Sequence, residues 1–143
     1  MDVLFVCLGN ICRSPMAAGI LKRMYAESSI TGVVESAGTM DWNVGKPADE
    51  RAIAVARENG VDIRAHRARQ VHTNDYSKFE LIIAMDQQNA TALLKAAPPA
   101  CRHKIRLLLE NADIADPYHG DIALFRATYR VIEKCCLEMF RRE

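Results

Sequence analysis

Four short runs rich in apolar residues recur along the chain, and after each the apolar positions return every three or four residues. Val3-Leu4-Phe5-Val6 is the first run, and the others occupy 33–37, 81–85 and 105–109. Short apolar, partly β-branched runs bounded by turn formers predict buried strands. The segments between them predict helices over 15–28, 48–59, 87–96 and 121–140. Ala17, Ile20, Leu21 and Met24 share a face of the first helix. In the last, Ile122, Phe125, Tyr129, Ile132, Cys136, Met139 and Phe140 form a continuous stripe. Thr31-Gly32, Gly60 and Pro98-Pro99 close the earlier segments, and 61–69 reads as irregular.

Strands alternating with helices predict an α/β chain with a four-stranded parallel sheet and helices on both faces. Its 143 residues suffice for one domain spanning 1–143, with no repeat or internal linker. In such sheets ligands gather beyond the carboxyl ends of the strands, near the point where the strand order reverses. Cys7, Gly38, Asp86 and the loop holding Asp116 all follow predicted strands, so they should share one rim.

The first of these ends carries the most chemistry. Cys7, Leu8, Gly9, Asn10, Ile11, Cys12, Arg13 and Ser14 lead from strand to helix, with Ser14 suited to an N-cap and Pro15 to the first helical position. Backbone N–H groups and a helix N-terminus would then face one small concavity and favour an anion. A thiolate is the reactive form of cysteine, and such surroundings favour it. Arg13 can fork two hydrogen bonds onto phosphate oxygens. Gly9 and Asn10 tolerate the positive φ of a tightly curled loop, and Ser14 can donate to the sulfur. A buried structural Cys7 with a capping Arg13 is the competing reading.

The stretch CLGNICRSP after an apolar strand resembles the low-molecular-weight protein tyrosine phosphatases. The resemblance implies a flavodoxin-like three-layer sandwich, Cys7 as nucleophile, Arg13 as phosphate clamp and a cysteinyl-phosphate intermediate. Leu8, Gly9, Asn10, Ile11, Cys12 and Ser14 would bind phosphate and substrate. Asp116, with Pro117 and Tyr118 after it, is the best candidate for a proton donor from the sequence alone, although Asp-Pro by itself usually marks a turn. The family's Asp-Pro-Tyr loop implies that it is the general acid and later the base. Trp42 and Tyr118, large aromatics in loops, would wall a slot for a phenyl ring over Leu8 and Ile11, admitting phosphotyrosine and small aryl phosphates. The resemblance further implies that Ser36 and His66 hold Asn10 by hydrogen bonds, that Asp86 supports the site, and that Cys12 can pair with an oxidised Cys7. Two positions depart from the family. Met16-Ala17-Ala18 stands where a glutamate is common, and His119 where many relatives have a second aromatic.

Composition narrows the setting. Nineteen basic and eighteen acidic residues leave a net charge of +1, so nothing draws the chain to nucleic acid or to an acidic membrane. No apolar run approaches the eighteen or so residues of a membrane span. Five cysteines without C-x-x-C pairs argue against a disulfide framework or a zinc site. With the first strand starting at Val3, the expectation is a reducing, cytoplasmic protein needing no metal or cofactor, its partners phosphotyrosine proteins, itself a monomer or weak homodimer. An arsenate reductase would need further cysteines within 86–99, where none occurs. A sugar-transport phosphocarrier would need neither Arg13 nor Asp116. A non-catalytic phosphate-binding module would be expected to have lost Cys7 or Asp116.

Overall fold

A computed structural model describes residues 1–142. Four strands, β1 (Val3–Cys7), β2 (Val34–Gly38), β3 (Leu81–Ala84) and β4 (Ile105–Leu107), form a parallel sheet in the order β2-β1-β3-β4. Five α-helices accompany it: α1 (Arg13–Glu27), α2 (Glu50–Glu58), α3 (Asp75–Lys78), α4 (Gln87–Ala96) and α5 (Ile122–Arg141). The chain moves from β1 outward to β2 and then crosses back to β3. The reversal point therefore lies at the end of β1, where Cys7 is.

Alternation along β1 divides the core between the two faces of the sheet. Val3 and Phe5 point into a cluster with Met16, Leu21, Val55, Phe125, Tyr129 and Ile132, supplied by α1, α2 and α5. Leu4 and Val6 point to the other face, against Tyr76, Phe79, Ile82 and Leu93 from the α3–β3–α4 region. All five β1 residues are buried, which explains their unbroken apolar character. Cys135 and Cys136 are packed in the first cluster.

The predicted strands and the α4 and α5 segments match to within two residues at either end. α3 and a 3₁₀ helix at Pro99–Lys104 were not predicted; each is too short to show a period. The start of α1 is a correction. The helix begins at Arg13 with Cys12 at the N-cap and no side-chain cap, so Ser14 is not the cap and Pro15 is not its first residue. The Ser14 hydroxyl is held by Cys7 and Asn10 instead. Pro15 is still tolerated because the first four helical positions have no intrahelical acceptor for an N–H.

Candidate active site

The loop between β1 and α1 is turned inside out relative to ordinary coil. Six consecutive carbonyls, from residue 7 to 12, each accept a hydrogen bond from outside the curl. The donors are Thr39 N (2.9 Å), Met40 N (3.1 Å), Asn43 Nδ2 (3.1 Å), His66 Nε2 (2.7 Å), Asp49 N (2.8 Å) and Met16 N (3.3 Å) in order. In a trans peptide the N–H points opposite to the C=O. The amides of residues 8–12 therefore face inward, around the Cys7 sulfur. Asn10 N already reaches that sulfur at 3.3 Å, and among the described residues the amides of Leu8, Gly9, Ile11 and Cys12 have no hydrogen bond within the protein. A ring of unused donors beside a helix N-terminus is an anion cradle.

Asn10 sets the curl. It is fully buried, with φ at 58°, in the left-handed region that asparagine tolerates better than most residues. Its side-chain Nδ2 donates to Ser14 Oγ (2.8 Å) and Ser36 Oγ (2.9 Å), and its Oδ1 accepts from Arg69 N (3.0 Å). Ser36 and His66 both bond to Asn10: Ser36 accepts from its side chain, and His66 donates to its carbonyl. Gly9 is not at positive φ, contrary to expectation. A Cβ there would stand 2.7 Å from Asn43 Nδ2, so the glycine is needed for the close approach of the Asn43 side chain.

Cys7 is 3% exposed, with its sulfur 2.9 Å from Ser14 Oγ. Arg13 is 2% exposed; its Nη1 donates to Asp86 Oδ2 (2.7 Å) and to Ile114 O (2.9 Å), and its Nη2 lies 3.7 Å from Asp116 Oδ2. Burial opposes charge on this guanidinium, but a Cys7 thiolate, Asp86 and Asp116 outweigh it and hold Arg13 above its usual pKa. Asp86 also caps α4 by accepting from Asn89 N at 2.8 Å. Burial, followed by the charges of Asp49, Cys7 and Asp116, pushes the Cys12 thiol far up, so Cys12 stays protonated beside Cys7 in the loop.

A cleft of about 240 Å³ opens above the cradle, lined by residues 7–13, Trp42, Asn43, Asp116, Tyr118 and His119. Trp42 is 60% exposed and Tyr118 46%, unusual for large aromatics, and they line the cleft together with Leu8 and Ile11. The Asp116 carboxylate accepts from Tyr118 N (3.1 Å), an Asx turn that holds it at the mouth.

Four contributors lie outside the site residues that the sequence supplies. Asn43 holds Gly9 O, Arg69 N holds Asn10 Oδ1, and His119 lines the cleft, its ring edge-on to Tyr118 with centroids 5.1 Å apart. Arg51 is the fourth. Anchored to Asp49 by two hydrogen bonds at 3.0 Å, it donates to Tyr118 O (2.9 Å) and Gly120 O (2.7 Å) and lies 4.3 Å over the Phe125 ring. Its partners are backbone carbonyls far along the chain, which leave no local pattern. Among the described residues no cluster of three or more His, Cys, Asp or Glu could hold a metal ion, and no helix is long and apolar enough to cross a membrane.

The chain matches the low molecular weight phosphotyrosine protein phosphatase family over residues 2–142. The protein of that name from Sus scrofa is 38% identical, the match covering 94% of this chain and 90% of the relative. A protein tyrosine phosphatase of Entamoeba histolytica, solved with Hepes in its active site, superposes with a TM-score of 0.94 at 31% identity, covering 99% of this chain and 96% of that one. Wzb of Vibrio vulnificus, in complex with benzylphosphonate, gives 0.91 at 33% identity, covering 99% and 98%.

Proposed function

Because the chain belongs to the low molecular weight phosphotyrosine protein phosphatase family, an enzyme family of phosphoric monoester hydrolases, we propose that Cys7, Arg13 and Asp116 carry a two-step hydrolysis of phosphotyrosine and small aryl phosphates. The observation that carries this reading is the ring of outward carbonyls and free inward amides around the Cys7 sulfur. Such a ring, closed by Arg13, matches the three equatorial oxygens of a phosphoryl group under attack.

The Cys7 thiolate attacks phosphorus, forming an S–P bond as the P–O bond to the phenol breaks. Asp116 gives its proton to the leaving oxygen. Water then attacks the cysteinyl phosphate, passing a proton back to Asp116, and phosphate leaves as the thiolate is restored. The Ser14 hydroxyl, 2.9 Å from the sulfur, stabilises the thiolate in both steps. Trp42 and Tyr118 take the phenyl ring between them, which excludes a short phosphoserine from Cys7. The benzylphosphonate held by Vibrio vulnificus Wzb, a phosphonate joined to a phenylmethyl group, is a ligand of the shape this cleft would take. Cys12 has a second role: an oxidised Cys7 sulfenic acid condenses with its thiol, releasing water and leaving a reducible disulfide.

The test is hydrolysis of para-nitrophenyl phosphate at mildly acidic pH in EDTA, native chain against Cys7→Ser. Turnover in the native chain that disappears in the variant supports the mechanism. Equal turnover in both overturns it.

A further inference from the structure

A second cavity, about 300 Å³, lies behind the Cys7 loop, between α1, β2 and the 61–69 segment. Its wall on α1 is made by Pro15, Ala18 and Gly19. Its charged groups are Lys22, Glu35, Asp62, Arg67 and Arg69. The two carboxylates are already engaged, Glu35 by Arg69 (3.3 Å) and Lys78 (3.0 Å), and Asp62 by Arg64 (2.9 Å). Arg69 is also paired with Asp75 at 2.9 Å. Lys22 and Arg67 have no carboxylate partner among the described residues.

The neutral polar groups lean the same way. Ser36 Oγ accepts from Asn10 Nδ2, so its own O–H is available to donate into the cavity. His66 must carry its proton on Nε2, because its partner there is the Asn10 carbonyl, and Nδ1 has no partner among the described residues. Burial first, then the charges of Lys22 and Arg67, hold the imidazole below its ordinary pKa. The cavity thus gathers two cations without a carboxylate partner, a hydroxyl free to donate and an imidazole whose charged form is suppressed by burial and by those two cations.

We propose that this cavity binds a small anion of two or more negative charges, held by Lys22, Arg67 and the Ser36 hydroxyl, and that its occupancy reaches the Cys7 loop through His66 and Asn10. An anion there cancels the field of Lys22 and Arg67 and favours protonation of His66 at Nδ1. An imidazolium donates more strongly through Nε2 to Asn10 O. That tightens the residue whose N–H reaches the Cys7 sulfur.

The test follows the His66 imidazole and backbone amides by NMR, in separate titrations with citrate and methylenediphosphonate, which distinguish carboxylate from phosphoryl ligands. Binding at this site moves the amides of Ala18, Gly19 and Lys22 and raises the His66 pKa by about one pH unit. Both effects disappear in Lys22→Ala/Arg67→Ala, whose para-nitrophenyl phosphate turnover without added anion stays at the native level. Ala18→Glu, which sets a carboxylate four residues before Lys22 on the same helix face, raises the His66 pKa with no anion added. An unmoved His66 titration with both ligands, or the same response in the double variant, overturns the proposal. Neither result bears on whether Cys7 is the nucleophile, since no turnover enters the binding readout.

Discussion

Arg13 and Asp86 form an ion pair at 2.7 Å at the carboxyl end of the sheet, with the arginine almost wholly inaccessible. Asp86 fixes the guanidinium from behind, through Nη1, while Nη2 is left towards the cleft and Asp116. The same carboxylate caps α4 through its other oxygen. Replacing Asp86 with Ala leaves a buried cation with the Ile114 carbonyl and the more distant Asp116, and removes a helix cap. The expected cost is about 3 kcal/mol of unfolding free energy, with kcat/KM on aryl phosphates falling about tenfold as the fork loses its aim. Asp86→Asn keeps one acceptor, enough for the helix cap or for the Arg13 bond but not for both, and should recover only part of the stability. Urea denaturation beside steady-state kinetics checks both, and a fully stable Asp86→Ala would contradict the role assigned to the pair.

Arg51 should act on the Asp116 loop and not on phosphate. Its two donations hold the carbonyls of Tyr118 and Gly120, just beyond Asp116, and among the described residues it makes no hydrogen bond to the cradle. Arg51→Ala is therefore expected to lower kcat about tenfold for phenyl phosphates with poor leaving groups and much less for good ones, while inhibition by inorganic phosphate is unchanged. Arg51→Lys, without the planar fork, should recover only part. A uniform loss across the leaving-group series, or weakened phosphate inhibition, would show that Arg51 acts elsewhere.

The sheet was legible because strands buried on both faces must be apolar at every position, as β1 and β3 are. The strand–loop–helix junction was legible for a similar reason, since Gly9, Asn10 and Pro15 each constrain the backbone locally. What escaped was held by tertiary partners. The hydroxyl of Ser14 turns to Cys7 and Asn10 and not to a helix end, so a residue of capping type sits inside the helix. Arg51, Asn43 and Arg69 meet their partners 34 to 69 residues away, and no window of sequence contains both ends. Asp116 stood out in the sequence as the best proton-donor candidate although Asp-Pro by itself marks a turn; its distance from Arg13 is a property of the fold.

Asn10 combines a positive φ with three side-chain hydrogen bonds, and two substitutions separate them. Asn10→Gly keeps the backbone permissive and removes the bonds to Ser14, Ser36 and Arg69. Asn10→Ala removes the same bonds and adds the left-handed penalty of about 1 kcal/mol. The glycine variant should be the more stable by about that amount, and both should lose most activity because the loop is no longer held. If alanine proves as stable as glycine, the φ of 58° is not retained in solution.

His66 makes stability depend on pH in a direction fixed by its surroundings. Burial, with Lys22 and Arg67 adding to it, lowers its pKa from the usual 6.5, partly offset by the bond to the Asn10 carbonyl. The unfolded chain therefore binds this proton more readily than the native one. Stability from this group is complete above about pH 6.5 and is lost as pH falls from there through the lower native value. A variant that cannot titrate but can still donate to Asn10 O, His66→Gln, should flatten this share of the profile. Thermal melts at pH 7.5 and pH 5 would then show a smaller drop in Tm for the variant than for the native chain. Parallel profiles would mean that His66 binds its proton equally well folded and unfolded, and the imidazole would have to be less enclosed than its contacts with Asn10 and α1 require.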